Sequence, residues 1–217
     1  MTTKRTELRP AKVARSEATR RGLIAAARRL FGEQGYAGTS VDEVVRAAGV
    51  TKGALYHHFK DKDDLFRAVV EEVKRDVTAV AGESFLSASM EPDPMASVVV
   101  GCLAFIDAHL DPAVQRITVL DARAVFDAST RRNLDNRYEV AVIRGAFRRA
   151  MNLGAIERQP VSPLAHIVTG ALFEACALIA EADDKAQARQ EASAVVTSLL
   201  EGLRPAATGA DAASPTT

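Results

Sequence analysis

The chain has no tryptophan, 5% aromatic residues, two cysteines and no net charge, with 28 Lys and Arg balanced by 28 Asp and Glu over 217 residues. Cys102 and Cys176 are far apart, each inside an apolar run. This excludes a disulfide-stapled scaffold or a CxxC metal pair and predicts buried, reduced thiols in a cytoplasmic protein. Long apolar runs are also missing. Met95 to Ile106 falls short of the roughly 20 residues that a bilayer requires, and Ser162 to Ala180 carries His166 and Glu174. The early basic residues Lys4, Arg5, Arg9, Lys12 and Arg15 are not followed by an apolar stretch with a small-residue cleavage site, so neither a secretory signal nor a membrane partner is expected. Serine nucleophile elbows and phosphate-cradling glycine loops do not occur. Alternating apolar and polar runs between turn pairs are lacking too, which excludes a sheet and leaves an all-α protein.

What is present is an ordinary globular composition, 47% hydrophobic and 26% charged, with its charge unevenly placed. Residues 1–70 hold 14 Lys and Arg against 8 Asp and Glu, and the remainder holds 14 against 20. A basic N-terminal part points to a polyanionic partner, and the acidic remainder does not share it.

Residues 1–15 are basic and aperiodic and are expected to form a flexible arm that either follows a nucleic-acid backbone or is simply solvated. A first helix is predicted from Ser16 to Gln34, stopped by Gly35. Ser40 with Glu43 three residues on is a capping box opening a short helix to Ala48, ended by Gly49. Thr51 then caps a third helix, Lys52 to Phe59, and Asp61 with Asp64 opens a longer one carrying the stripe Leu65, Val69, Val73 and Val77. After Gly82 a loop around Pro92 and Pro94 is expected. Helices follow over Met95 to His109, Ala113 to Phe126, Arg131 to Asn152, Ser162 to Glu181 and Asp184 to Leu203. A tail over 205–217, rich in Ala, Thr, Ser and Pro, is expected to be disordered.

Two short helices joined by a glycine turn make a helix-turn-helix, whose second helix suits a major groove. On a helical wheel Lys52, Gly53, Tyr56 and His57 share one face, while Ala54, Leu55 and His58 fall opposite. Gly53 lets the backbone approach a phosphate closely, and Ala54 stands where an acid would repel one. Val41, Val44, Leu55, Phe59 and Phe31 are assigned to the small core.

The stretch Thr39 to Phe66, TSVDEVVRAAGVTKGALYHHFKDKDDLF, resembles the DNA-binding signature of the TetR family of bacterial regulators, and the preceding Leu23 to Ser40 is similar too. The resemblance implies an N-terminal three-helix DNA-binding domain over 16–62 and a larger helical ligand-binding and dimerisation domain over 63–204. By that resemblance Thr39, Ser40, Lys52, Tyr56 and Lys62 bind phosphates, and Thr51, Gly53 and His57 sit at base edges. His58 has two readings, inward by the wheel and phosphate-binding by the family. His57 departs from the aromatic residue usual at its position, which leaves the operator sequence open but not the mode of docking. The family also implies a homodimer through the last two helices, a palindromic double-stranded operator, and repression relieved by a small-molecule effector that spreads the two recognition helices beyond one DNA turn, about 34 Å.

Beyond about residue 70 the resemblance fades. The apolar residues of the last two helices, among them Leu164, Val168, Leu178, Val195 and Leu199, agree with a dimer interface. For a hydrophobic or amphipathic effector the candidate walls are Phe105, Val119, Leu120, Phe126, Tyr138, Phe147, His166 and Phe173, with Asp121, Arg123 and Arg137 as polar anchors. Two other classes fit parts of the sequence. An architectural DNA-binding protein would have a solid body without a cavity. A hydrolase would use His57, His58, Asp61, Asp63 and Asp64 as metal ligands, but Asp61 and Asp64 sit where helix starts favour acids and the two histidines point apart. No cofactor, metal or enzymatic activity is expected.

Overall fold

The computed structural model describes residues 4–88 and 93–205, and these form helices without a strand among them. Helix α1 spans Lys4–Gly38, bent at Gly35, where φ is +79°. Helices α2 (Val41–Ala47), α3 (Lys52–His58) and α4 (Lys62–Ala88) follow. Next come α5 (Pro94–Ala108), α6 (Pro112–Gln115), a π-helical segment (Arg116–Asp121) and α7 (Ala122–Val125). Helices α8 (Ala128–Arg137), α9 (Glu139–Asn152), α10 (Val161–Glu181) and α11 (Lys185–Glu201) complete the chain.

The local signals set most boundaries. Ser40 and Glu43 form the reciprocal capping box, Thr51 caps α3 by accepting the Ala54 amide at 3.2 Å, and Gly49 turns between them at φ +67°, a conformation glycine adopts without steric cost. Asp61 accepts the Asp64 amide at 2.8 Å and Asp64 accepts the Lys60 amide at 3.1 Å, which starts α4. Leu23, Ala27, Phe31, Val44, Leu55, Phe59, Leu65 and Phe66 close one core around α1 to α4, with Val41 partly buried against it.

Four expectations need correction. Residues 4–15 extend α1 instead of forming an arm, because Lys, Arg, Glu, Leu and Ala are good helix formers and an existing helix propagates more easily than it nucleates. Gly82 does not end α4. It sits in the helix with open space where its Cβ would be, so it costs propensity alone. Pro94 opens α5 at its first turn, where the missing N–H is harmless. The helix expected over Arg131 to Asn152 breaks at Tyr138 (φ −108°, ψ −80°), and α9 restarts with Glu139 directed at Lys74. The tail over 206–217 lies outside the described residues, as do residues 1–3.

Helix α5 packs along α4, and α9, α10 and α11 close the body; the few residues between α10 and α11 lay those two side by side. By length and composition α10 could cross a membrane. Its inner face, including Ala165, Leu172, Ala175, Cys176 and Ile179, is buried against the body, as a core helix requires. Both cysteines are buried and unpaired, and burial pushes each thiol up to about 12.

Candidate nucleic-acid interface and the cavities of the body

Capped at Thr51 and fixed inside by Leu55 and Phe59, α3 turns Thr51, Lys52, Gly53, Tyr56 and His57 outward, with Tyr56 52% exposed. Ser40 is exposed on the flank. His58 is half-buried, and its ring stands edge-on to that of His57 with the centroids 5.2 Å apart, so the two histidines do not point fully apart. Lys52 reaches back to Asp42 of α2 at 2.8 Å, and this hydrogen-bonded carboxylate raises its pKa. Lys62 is half-buried with its ammonium 4.0 Å from the Tyr36 ring centroid, and burial lowers its pKa. Thr39 does not join this surface. It is 1% exposed and donates its hydroxyl to the Gly35 carbonyl at 2.9 Å, which stitches the bend after α1. The neighbouring acids have structural partners: Asp61 and Asp64 cap α4, and Asp63 accepts the Tyr36 phenol. Burial, with Asp63 second, pushes that phenol's pKa up.

A polar junction joins this reader to the body. The π-helical segment lies against the end of α1, where Asp121 accepts the Tyr36 amide at 2.7 Å and Arg116 donates to the Gly32 carbonyl at 3.3 Å. Gly32 is required for this approach, since a Cβ there would stand 2.6 Å from that of Ala113. Asp121 is therefore committed to the junction and is not a pocket anchor.

The chain carries the sequence marks of two known domains on this geometry. Residues 23–69 match the family described as bacterial regulatory proteins, tetR family, and residues 95–203 match the tetracyclin repressor-like C-terminal domain. The chain belongs to the TetR family. A crystal structure of a TetR-family transcriptional regulator from Pectobacterium atrosepticum is 32% identical, superposes with a TM-score of 0.75, and covers 88% of this chain and 96% of its own. The HTH-type transcriptional repressor AcnR of Corynebacterium glutamicum is 30% identical over 131 residues, 58% of this chain and 69% of AcnR. The HTH-type transcriptional regulator AcrR of Shigella flexneri is 50% identical over 56 residues, a match spanning only 26% of either chain. This TetR-family chain is thus a DNA-binding transcriptional regulator, and its likeness to AcrR is confined to a quarter of the length.

The regulator's body holds two adjoining spaces. A polar cleft of about 410 Å³ is lined by Lys74, Thr118, Arg123, Phe126, Asp135 and Phe173, among others, and His166 borders its continuation along α10. A narrow apolar slot beside it is lined by Phe105, Phe85, Val98, Ile143 and Leu172. Of the expected walls, Phe105, Arg123, Phe126, His166 and Phe173 therefore face these spaces. Val119 is sealed in the core, Leu120 is 45% exposed, and Tyr138 marks the helix break; none of the three lines either space. Phe147 is wholly buried, and Arg137 pairs loosely with Glu71 at 3.9 Å.

Sequence reasoning missed Lys74 and Glu139. Lys74 is 4% exposed and bonds Glu139 and Asp135 at 2.9 Å each, with its ammonium 4.6 Å from the Phe173 ring centroid. Burial pushes the Glu139 carboxyl up against the opposing pull of Lys74. The available signal was a charge inside an apolar stripe: Lys74 between Val70 and Val77, and Glu139 before Ile143 and Ala146. His109 is a satisfied core histidine that shares a 2.9 Å bond with the Phe105 carbonyl, and burial lowers it to about 4.

Proposed function

We propose that this regulator is a cytoplasmic homodimeric repressor that reads a palindromic operator through α3 and releases it when a hydrophobic or amphipathic effector enters the body. The observation that carries this reading is the exposed face of α3. It sets Lys52, Tyr56 and His57 outward on a capped helix whose first turn has no acid. In this arrangement Thr51, Gly53 and His57 meet base edges, while Ser40, Lys52, Tyr56 and Lys62 meet phosphates. Lys62 must swing off the Tyr36 ring to do so. His58 contacts at most the margin, and the Thr39 hydroxyl stays with Gly35.

Dimerisation is supported by Ile167, Leu178, Val195 and Leu199, which are 58–71% exposed on α10 and α11 although all are large and apolar. Two readers related by a twofold axis then fall on successive half-sites. The cavities support an effector, since a purely architectural protein has no use for them.

The route from effector to reader runs through the π-helical segment. Thr118 lines the polar cleft, and three residues on Asp121 holds the Tyr36 amide, so a ligand that shifts this segment shifts the end of α1.

The reader is tested by a gel shift on the DNA upstream of the protein's own coding sequence, in excess random DNA. Tyr56→Ala is expected to weaken the specific complex about tenfold or more, the loss of one phosphate bond and its packing. Equal binding by wild type and variant would remove α3 from the interface. In the same assay Asp121→Ala is expected to change operator affinity roughly five-fold, because half-site separation is no longer fixed by the junction. An unchanged affinity would show that the junction carries no coupling.

A further inference from the structure

Most polar groups that line the polar cleft and its continuation along α10 are already engaged within the protein. Lys74 is held between Asp135 and Glu139 at 2.9 Å each. The Thr118 hydroxyl donates to the Val114 carbonyl at 2.7 Å and that of Thr169 to the Ala165 carbonyl at 2.8 Å. Both ring nitrogens of His166 are taken up, one by the Ser162 carbonyl at 2.8 Å and the other by Asn136 Oδ1 at 2.5 Å. The arginines differ. Arg131 makes one hydrogen bond among the described residues, from Nη1 to the uncharged Arg123 carbonyl at 3.0 Å, which sets it beside Arg123 and leaves the rest of its guanidinium fork free to donate. Arg123 has a loose, exposed pairing with Glu174 at 3.5 Å, and Arg132 has no partner among the described residues.

The cations of this lining, Lys74, Arg123, Arg131 and Arg132, stand against the paired carboxylates of Asp135, Glu139 and Glu174, which leaves one positive charge unbalanced. A cationic ligand would be repelled, a dianion would exceed the charge available, and a neutral one would leave the guanidinium donors to water. The apolar wall is equally definite. Phe126, at the end of α7, and Phe173, on α10, both face the cleft, and Gly170 beside them adds no side chain, with nothing within 4 Å of where its Cβ would be. The volume of about 410 Å³ lies within the range of small-molecule sites and has room for a fused pair of rings. We propose that the cleft binds a hydrophobic aromatic monocarboxylate, its carboxylate held by the guanidinium groups of Arg131 and Arg123 and its rings lying against Phe126 and Phe173. This rests on the reading of the protein as an effector-controlled regulator and names the class of that effector. Such a ligand would tie α7 and α8 to α10 beside the π-helical segment, whose Thr118 lines the same cleft and whose Asp121 holds the Tyr36 amide.

Titration calorimetry on the full chain tests this with four probes on one ring system: 2-naphthoate, 2-naphthamide, 2-naphthylmethylammonium and naphthalene-2,6-dicarboxylate. Naphthoate is expected to bind about tenfold tighter than its amide, which carries no charge, and tighter than the cation or the dianion. Arg131→Gln is expected to weaken naphthoate about tenfold while leaving the amide unchanged. Arg123→Gln should cost less, about threefold, because Glu174 already shares its charge, and it is read in place of Arg131→Gln should that variant fail to fold. Arg148→Gln removes the same charge from the exposed face of α9, which lines neither the cleft nor its continuation, and is expected to leave naphthoate binding unchanged.

Equal binding of naphthoate and amide, preference for the cation or the dianion, no binding of naphthoate, or an equal loss in Arg148→Gln overturns the proposal. The gel shift without probe separates the two readings. Selective DNA binding without the naphthoate preference sinks only the ligand class, whereas an arginine-dependent naphthoate preference without selective DNA binding upholds the cleft and sinks the regulator reading given above.

Discussion

A chain carrying Ile167→Glu and Leu199→Glu is expected to sediment as a folded monomer and to lose about a hundredfold or more in operator affinity. The protomer should survive because neither side chain supports its own fold: Ile167 is 71% and Leu199 61% exposed, and the residues beneath them, Val196, Leu200 and Leu172, remain in place. The dimer should not survive. A twofold interface presents each residue twice, so two substitutions bring four carboxylates into a contact otherwise made by apolar groups such as Leu164, Ala171 and Leu203, none of which can pair them. The effect on DNA follows from geometry. A monomer retains one recognition helix and one set of phosphate contacts, and its affinity drops toward the non-specific range. Sedimentation velocity and the gel shift read the two halves separately. A variant that still sediments as a dimer would place the interface elsewhere, and a monomer that binds operator as tightly as wild type would mean that one half-site suffices.

The reader was legible in the sequence and the body largely was not, for a physical reason. The boundaries of α2 and α3 are set by contacts three or four residues apart, Ser40 with Glu43 and Thr51 with Ala54, so the residues that decide them lie side by side in the chain. The face of α3 follows in the same way from Leu55 and Phe59. The body's spaces depend on which side chains meet across α4, α5, α9 and α10, and periodicity on one helix says only that a residue faces inward, not what it meets. Phe105 and Val119 both read as inward; one lines the slot and the other is sealed in the core. Thr39 shows the limit of resemblance, since its place in the motif implied a phosphate contact while the bend at Gly35 consumes its hydroxyl. The break at Tyr138 has no glycine or proline to announce it. It coincides with the turn of Glu139 toward Lys74, 65 residues away in sequence.

That long-range pair makes Lys74 a sensitive position in the body. Lys74→Met is expected to lower stability by about 3–5 kcal/mol, or roughly 10 °C in melting temperature, because it leaves Glu139 buried without its counter-charge. The Glu139 side chain is 1% exposed, so water cannot replace the ammonium, and burial already pushes its carboxyl up. Asp135 suffers less, being 31% exposed. Glu139→Leu alone should cost less than Lys74→Met, since Lys74 keeps Asp135 at 2.9 Å and remains paired. Combined with Lys74→Met, it should recover most of the loss, because an apolar pair of similar size needs no desolvation to be repaid. Calorimetric melting of the four proteins closes the cycle. If Lys74→Met melts with the wild type, the pair contributes nothing to the fold. If the double variant is as unstable as Lys74→Met, the loss comes from packing and not from an orphaned charge.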